Sequence, residues 1–280
     1  MKKSRALSAA CWMFATLTCG VVHAEQLPLW EAGLGVAGIR FPDYRGADQH
    51  KSYLLPLPYI VYRGEFLKAD RQRVRGLFFK SESAEIDVSI NGSVPVKSKD
   101  NRARTGMPDL DPTLEIGPSL NLGLFDSADQ RKKLELRLPL RAVFAADFPR
   151  FRYEGLVFQP QINLDTHDIL GYPGWNLGLA AGPVFADSRY HQYIYGVDSA
   201  FATATRPTYQ GRGGYGGTQF IAALSKRFPK YWVGGFMKYD TLHGAAFEDS
   251  PLTKSKTGFT AGIGIAWVFS ESKDKVEARD

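Results

Sequence analysis

Residues 258–269 alternate between two kinds of side chain. Phe259, Ala261, Ile263, Ile265, Trp267 and Phe269 share one face, and Thr260, Gly262, Gly264, Ala266 and Val268 share the other. Successive side chains of a strand point to opposite faces. The segment therefore has one large apolar face and one face of small residues. Few folds tolerate a long strand that is apolar on its outer face and aromatic at its ends. A transmembrane β-barrel requires one, because its outer face meets lipid.

The pattern recurs. Leu134, Leu136, Leu138 and Leu140 alternate with Lys133, Glu135, Arg137, Pro139 and Arg141. Leu114, Ile116, Pro118, Leu120, Leu122 and Leu124 alternate with Glu115, Gly117, Ser119, Asn121 and Gly123. Similar runs lie at 85–91, 156–165 and 175–185. They are about ten residues long, the span of a tilted membrane strand, whereas soluble strands are nearer five or six. Aromatic residues mark the run ends at Trp30, Tyr59, Tyr62, Phe144, Phe148, Trp175, Trp232, Tyr239, Trp267 and Phe269. Trp and Tyr favour the headgroup zone, so these positions suggest interfacial girdles.

The pattern predicts strands near 30–41, 52–63, 66–79, 84–96, 112–125, 133–147, 155–166, 175–187, 190–200, 217–228, 231–242 and 257–269. Pro56 and Pro58 weaken the second as a ladder donor. Twelve strands is an even number and puts both chain ends on the periplasmic side, with ten as the alternative. The fold class is all-β, a single antiparallel transmembrane barrel over 25–269. On this count 98–111, 149–154, 229–231 and the tail face the periplasm, and a miscount of one strand would invert that assignment. Alternation sends Glu85, Asp87, Glu115, Glu135, Arg137, Arg141 and Asp165 into the lumen. Mixed signs there argue against a wide ion filter of one charge.

The N-terminus carries an address. Lys2, Lys3 and Arg5 precede a mostly apolar stretch at 7–22, and Val22-His23-Ala24 resembles a cleavage site. Residues 1–24 read as a signal peptide, too short and interrupted to be a membrane anchor. Cys19 follows Thr18, a poor lipidation context. Both cysteines, Cys11 and Cys19, fall within this segment, so the mature chain has no thiol chemistry. Removing three cations reduces the formal charge from +6 to +3, which gives no case for nucleic acid binding. Residues 270–280 are polar and read as a disordered tail.

Particular residues resemble the MipA/OmpV outer-membrane proteins. They are Trp30 with Gly33 and Gly35, the run from Pro42 through Asp43, Tyr44, Arg45, Gly46, Ala47 to Asp48, and Leu57-Pro58-Tyr59 with Tyr62-Arg63-Gly64. The likeness continues through Tyr193 to Val197, Gly213 to Gly217, Asp249-Ser250-Pro251-Leu252 and the last aromatic strand. The resemblance implies an outer-membrane barrel in contact with outer-membrane lipid. It also implies a non-enzymatic scaffold in the cell envelope, with a murein lytic transglycosylase and a penicillin-binding protein as partners. It supplies no catalytic site. The usual terminal Phe is matched by Phe269, but eleven further residues follow it here.

Local chemistry is sparse. Asp165-Thr166-His167-Asp168 has ligand-type residues, but it runs into Gly171-Tyr172-Pro173-Gly174 and reads as a hydrated turn. Ser250 with His243 and Asp249 suggests a hydrolase, yet no nucleophile elbow is present. No catalytic residue, cofactor or metal is expected. Asp43, Tyr44 and Arg45 form either a recognition loop or a loop folded over the barrel mouth, and Arg212 and Tyr215 raise the same question. A narrow small-solute channel and a surface adhesin are the alternative functions.

Overall fold

The computed structural model describes residues 26–63, 67–69, 74–81, 84–129, 131–147 and 149–277. The leader at 1–24, Phe148 and the last three residues of the tail lie outside the described residues. The strands are β1 (Gln26–Pro28), β2 (Trp30–Pro42), β3 (His50–Arg63), β4 (Leu67–Ala69), β5 (Val74–Lys80), β6 (Ala84–Ser93), β7 (Thr113–Asp126) and β8 (Lys132–Asp147). They continue as β9 (Arg150–Phe158), β10 (Gln161–His167), β11 (Trp175–Ala186), β12 (Gly214–Arg227), β13 (Tyr231–Thr241), β14 (Thr257–Glu271) and β15 (Lys275–Glu277). One α-helix, α1 (Ser188–Tyr195), lies between β11 and β12.

The strands β2 to β14 pair with antiparallel neighbours into one closed ring. The last strand, β14, returns to pair with β2, and β8 pairs with both β9 and β10. Pro160 interrupts what is otherwise a single long strand, because β9 and β10 share both neighbours, β8 and β11. Counting them as one stave gives a twelve-stave barrel among the described residues. Gly33 and Gly35 sit where the wall curves hard against β14. A Cβ on either would strike the carbonyl oxygen of Trp267 or Ile265 at about 2 Å.

The wall has the inside-out polarity that lipid demands. Ile263 is 74% exposed and Leu54 78%, and Trp267, Phe269, Leu140 and Leu114 are exposed beside them. The alternate residues Glu115, Ser119, Asn121, Glu135, Arg141 and Thr260 are buried. Among the aromatics expected at the interfaces, Trp30, Tyr62, Tyr239, Trp267 and Phe269 face outward. Tyr59 and Trp232 do not. Tyr59 packs inside with Val61 and Ala266, and Trp232 lies against that cluster.

Three expectations need correction. Residues 190–200 are not a strand, since Ser188–Tyr195 is helical. The run 66–79 is not one strand but two short ones, β4 and β5, paired with each other. The tail is not wholly disordered, because Val276 of β15 pairs with Leu27 of β1. The first two errors cancel in the strand total but invert everything between them. The segment at 94–112 and the end of β8 that leads to β9 therefore lie opposite the chain termini, with the long connections 43–49, 187–213 and 242–256. Of the four segments expected at the terminal end, 229–231 and the tail are the ones found there.

β4 and β5 make few pairings with their outer neighbours. Among the described residues, β3 pairs with β4 only at Tyr62 and Arg63, and β6 pairs with β5 only from Glu85 to Asp87.

Candidate functional site

The end of the barrel away from the termini is closed by a packed lid. Asp187 starts α1 as its N-cap, accepting from the N–H of Tyr190 at 2.9 Å and from the N–H of Leu156 on β9 at 3.0 Å. Gly155 makes that approach possible. Its φ is +119°, and a Cβ there would overlap the Asp187 carboxylate. The helix thus emerges from the wall already tied to it.

Helical spacing puts His191 and Tyr195 on one face, and both are buried. The ring of Tyr195 stacks on Phe247 at 3.6 Å between centroids, and His191 meets the same ring edge-on at 4.8 Å. Around them pack Tyr44, Ala47, Val96, Leu110, Val197, Leu242 and Leu252, so four separate connections share one apolar core. Hydrogen bonds cross-link them. The Tyr195 hydroxyl donates to the carbonyl of Arg45 and the Tyr44 hydroxyl to that of Leu252, both at 2.8 Å. Arg104 donates to the carbonyl of Ile194 at 2.9 Å. Burial raises the Tyr44 and Tyr195 hydroxyls well above the ordinary phenol range, so both remain donors.

His191 has a defined tautomer. Its Nδ1 lies 2.6 Å from the carbonyl of Arg212, an acceptor, so Nδ1 carries the proton. Desolvation holds its pKa below the usual histidine value, and the imidazole is neutral in the lid.

Below the lid lies the lumen, with a cavity of about 870 Å³. A chain of polar side chains runs round its wall. Asn91 donates to Glu115 at 3.2 Å, and Arg141 donates to Glu115 at 2.9 Å, to Ser89 at 3.2 Å and to Gln159 at 2.7 Å. Gln159 donates to Gln219, which donates to Asp240, and Arg45 from the lid closes the chain on Asp240 at 2.8 Å. A second group lies on the same faces of β8 and β10. Glu135 bridges Lys133 and Arg137, and Arg137 reaches Asp165 at 3.4 Å. A third sits where β2 begins. Buried Glu31 accepts from Arg63 at 2.9 Å, Arg227 at 2.8 Å and Tyr59 at 3.2 Å.

The residues singled out in the sequence separate accordingly. Asp87, Glu115, Arg137 and Arg141 line the cavity, and Glu135 and Asp165 join them through the ion pairs above. Glu85 shares their face of β6 and is half-buried. Asp43, Tyr44 and Arg45 are internal to the lid rather than a free recognition loop. Asn101 donates to Asp43 at 2.8 Å, and Arg45 is spent on Asp240. Arg212 is exposed and contributes its carbonyl, while the Tyr215 hydroxyl pairs with Thr218 at 2.7 Å. Gln159, Gln219, Asp240 and Glu31 were missed, although each occupies an inward position of its alternating run.

The hydrolase constellation does not assemble. The Ser250 hydroxyl is buried and donates to the carbonyl of Tyr195 at 2.8 Å, while His243 is exposed and faces Glu248. His167, the last residue of β10, bonds Asn176 across the ladder to β11 at 2.9 Å rather than lying in a turn. Among the described residues no three His, Cys, Asp or Glu side chains converge as a metal site would need.

A family match decides the lineage. The family described as MltA-interacting protein MipA matches residues 34–269. This chain belongs to the MipA family. As a member with a closed antiparallel wall and an apolar outer face, it is an outer-membrane β-barrel protein. No curated protein matches its sequence. Among solved structures, the NanC porin is similar at 8% identity, covering 84% of this chain and 98% of its own, with a TM-score of 0.40. A COG4313 outer membrane channel from Pseudomonas putida F1 is similar at 13% identity, covering 89% and 98%, with a TM-score of 0.43. Likeness at this level says nothing about what this MipA-family chain binds or passes.

Proposed function

We propose that this barrel is a non-enzymatic scaffold whose terminal, periplasmic end docks murein-remodelling enzymes, a lytic transglycosylase and a penicillin-binding protein. The family name supplies the partner class. The carrying observation is the ribbon made by β1 and β15, which ties both chain ends together in register from Gln26↔Glu277 to Pro28↔Lys275. A terminal extension held in a two-stranded sheet offers a shaped contact, which a loose tail does not. Outer-membrane barrels put short turns and both ends in the periplasm, so the ribbon and the 229–231 turn face the murein and the lid faces outward. Delivery there follows removal of residues 1–24.

The test is affinity capture of the tagged barrel from gently solubilised envelopes, with mass spectrometry as readout. The expected result is recovery of one of these enzymes, lost when 272–280 is deleted and the barrel remains heat-modifiable on gels. Enrichment no greater than with an unrelated barrel overturns the scaffold.

A narrow channel is the second reading, favoured by the polar-lined cavity. It requires the lid to move. Planar-bilayer recordings should then show small steps that change with Arg137→Gln or Arg141→Gln.

A further inference from the structure

The four connections that build the lid core also meet at a groove on its solvent side. Asp48 comes from 43–49, Arg102, Ala103 and Thr105 from 94–112, Thr203, Thr205 and Arg206 from 187–213, and Lys254 from 242–256. The groove has a volume of about 410 Å³, and none of these residues lines the lumen cavity.

Its frame is fixed by bonds to the backbone. Arg206 donates through Nη1 to the carbonyls of Ala103 and Thr105, both at 2.9 Å. Through Nη2 and Nε it donates to the carbonyl of Phe201 at 2.8 and 3.1 Å. Thr203 and Arg206 close a tight reversal, with N–H to carbonyl bonds in both directions. The N–H of Arg102 bonds the Gln49 side chain at 2.6 Å, and that of Lys254 bonds the carbonyl of Gly46 at 2.7 Å. A groove held in this way needs little ordering when a ligand arrives.

The groups that line it have capacity to spare. A guanidinium carries five N–H donors. Four of those on Arg206 go to carbonyls, which leaves its charge uncompensated and one Nη2 donor without an acceptor among the described residues. Lys254 is exposed and forms no ion pair among the described residues. Arg102, its side chain 76% exposed, pairs with Asp48 at 3.0 Å. Three cations therefore face one carboxylate. Thr203 and Thr205 are exposed, and their hydroxyls have no partner among the described residues. Apart from Ala103 the described lining is polar, and it holds no aromatic ring.

That composition selects the ligand. An excess of two positive charges calls for an anion. Threonine hydroxyls suit a chain rich in hydroxyl and ether oxygens. The lack of apolar surface offers no seat for a lipid tail or for the apolar side chains of a peptide, and the lack of a ring offers no platform for a nucleic acid base. We propose that the groove binds an acidic saccharide, a short run of sugar units bearing phosphate or sulfate groups. The anionic groups meet Arg102, Arg206 and Lys254, and the sugar hydroxyls meet Thr203 and Thr205. The groove lies at the opposite end of the barrel from the β1–β15 ribbon, so this inference stands apart from the scaffold reading.

The test is fluorescence anisotropy of the purified full barrel with a labelled tetrasaccharide of sulfated glucosamine and uronate. Lys254→Gln should weaken binding about threefold, the worth of one exposed ion pair, and adding Arg102→Gln should bring the loss to about tenfold. Asp48→Asn removes the one carboxylate of the groove and should tighten binding about threefold, a gain that misfolding cannot imitate. Lys256→Gln, on the same connection as Lys254 but paired with Glu248 outside the groove, should change nothing. A second arm places the barrel in nanodiscs with lipopolysaccharide, phosphorylated or dephosphorylated. Tetrasaccharide binding blocked by the phosphorylated form alone identifies a neighbouring glycolipid as the source, and binding retained beside both identifies a soluble saccharide; either result supports the site. Equal binding of the desulfated tetrasaccharide overturns the proposal. So does equal displacement by polyglutamate or oligothymidylate, or an Asp48→Asn barrel that binds more weakly than the native one. A failed enzyme capture would leave all these readouts unchanged.

Discussion

The wall and the lid of this protein solve burial in opposite ways. In the wall, leucines and aromatics face out and the buried residues include Glu115, Arg141, Ser119 and Asn121. In the lid, Tyr195, Phe247, Leu242 and Leu252 are fully buried against one another, as in a soluble core. The wall is held by its strand ladders, and its polar interior is kept by ion pairs that leave few charges uncompensated. The lid depends on apolar packing plus scattered hydrogen bonds, among them those from the Lys254 and Ser255 N–H groups to the carbonyl of Gly46 and from Asn101 to the Asp43 carboxylate. One chain therefore carries two stability regimes, joined at Arg45–Asp240, at Asp187 on β9 and where Tyr190 packs on Val143, Val157, Val184 and Ala186 of the wall. The lid should be able to loosen while the wall persists.

The sharpest way to break this comparison is to attack each regime in its own terms. Arg141→Met leaves Glu115 buried without its cation, and stranding one member of a buried pair costs about 3–5 kcal/mol. The expected outcome is a lower midpoint in urea-driven unfolding of the heat-modifiable barrel, with the lid lost at the same point. Replacing both partners by apolar residues should recover much of that loss. If Arg141→Met left the midpoint unchanged, the polar band would be ornament rather than support. Leu252→Ala, by contrast, opens a cavity in the lid core and costs about 2–5 kcal/mol. The prediction is faster protease cleavage within 187–213 and more frequent bilayer conductance, with the barrel midpoint unmoved. A matching drop in that midpoint would show that wall and lid fold as one unit.

The same contrast explains what could be read from the sequence. Wall strands have period two, so β7, β8, β11, β13 and β14 were legible as strands, and so was the inward direction of Glu115 and Arg141. The lid has no wall-like period. Tyr193, Tyr195 and Val197 alternate with Gln192, Ile194 and Gly196, which imitates a strand, yet the segment is a helix. The helical signal was present in Asp187-Ser188 as a cap and His191 with Tyr195 four apart, but two buried positions are too few to outvote alternation. In 66–79 the opposite failure occurred. The stretch β4–β5 returns on itself within a length that a single membrane strand would fill, and no Asn-Gly or Asp-Gly pair marks the reversal. Sidedness at 94–112 depended on that hidden turn, so local pattern could not supply it. That Pro56 and Pro58 face away from β2 needed the register of the ladder, which no sequence period encodes.

Smaller perturbations test the joints between the regimes. Asp187→Ala removes the cap of α1 and its bond to β9, a loss of about 0.5–2 kcal/mol for a cap of this kind. Hydrogen exchange should rise through α1 and stay unchanged in β11 and β12. Equal protection in the variant would mean that packing alone positions the helix.

The smallest effect expected is set by pH and falls on the lid alone. His191 is held neutral by burial, so its folded pKa lies below the ordinary 6.5. The unfolded lid then binds more protons than the folded one as pH drops below 6.5, and stability falls with it until the folded form also titrates. Above 6.5 the contribution is complete. The groups facing the ring are Arg45, which opposes protonation, and Asp187, which favours it weakly, with Tyr195 and Phe247 closing the apolar sides. Protonation would leave Nδ1–H on the Arg212 carbonyl and place a second, unpaired donor at Nε2, beside Gly216. Cleavage within 187–213 should therefore accelerate from pH 7 to pH 5 in the native protein. In His191→Gln the baseline should be higher and the slope absent. A slope that survives the substitution would assign the pH response to the carboxylates of the wall, and the lid would then not be the acid-sensitive half.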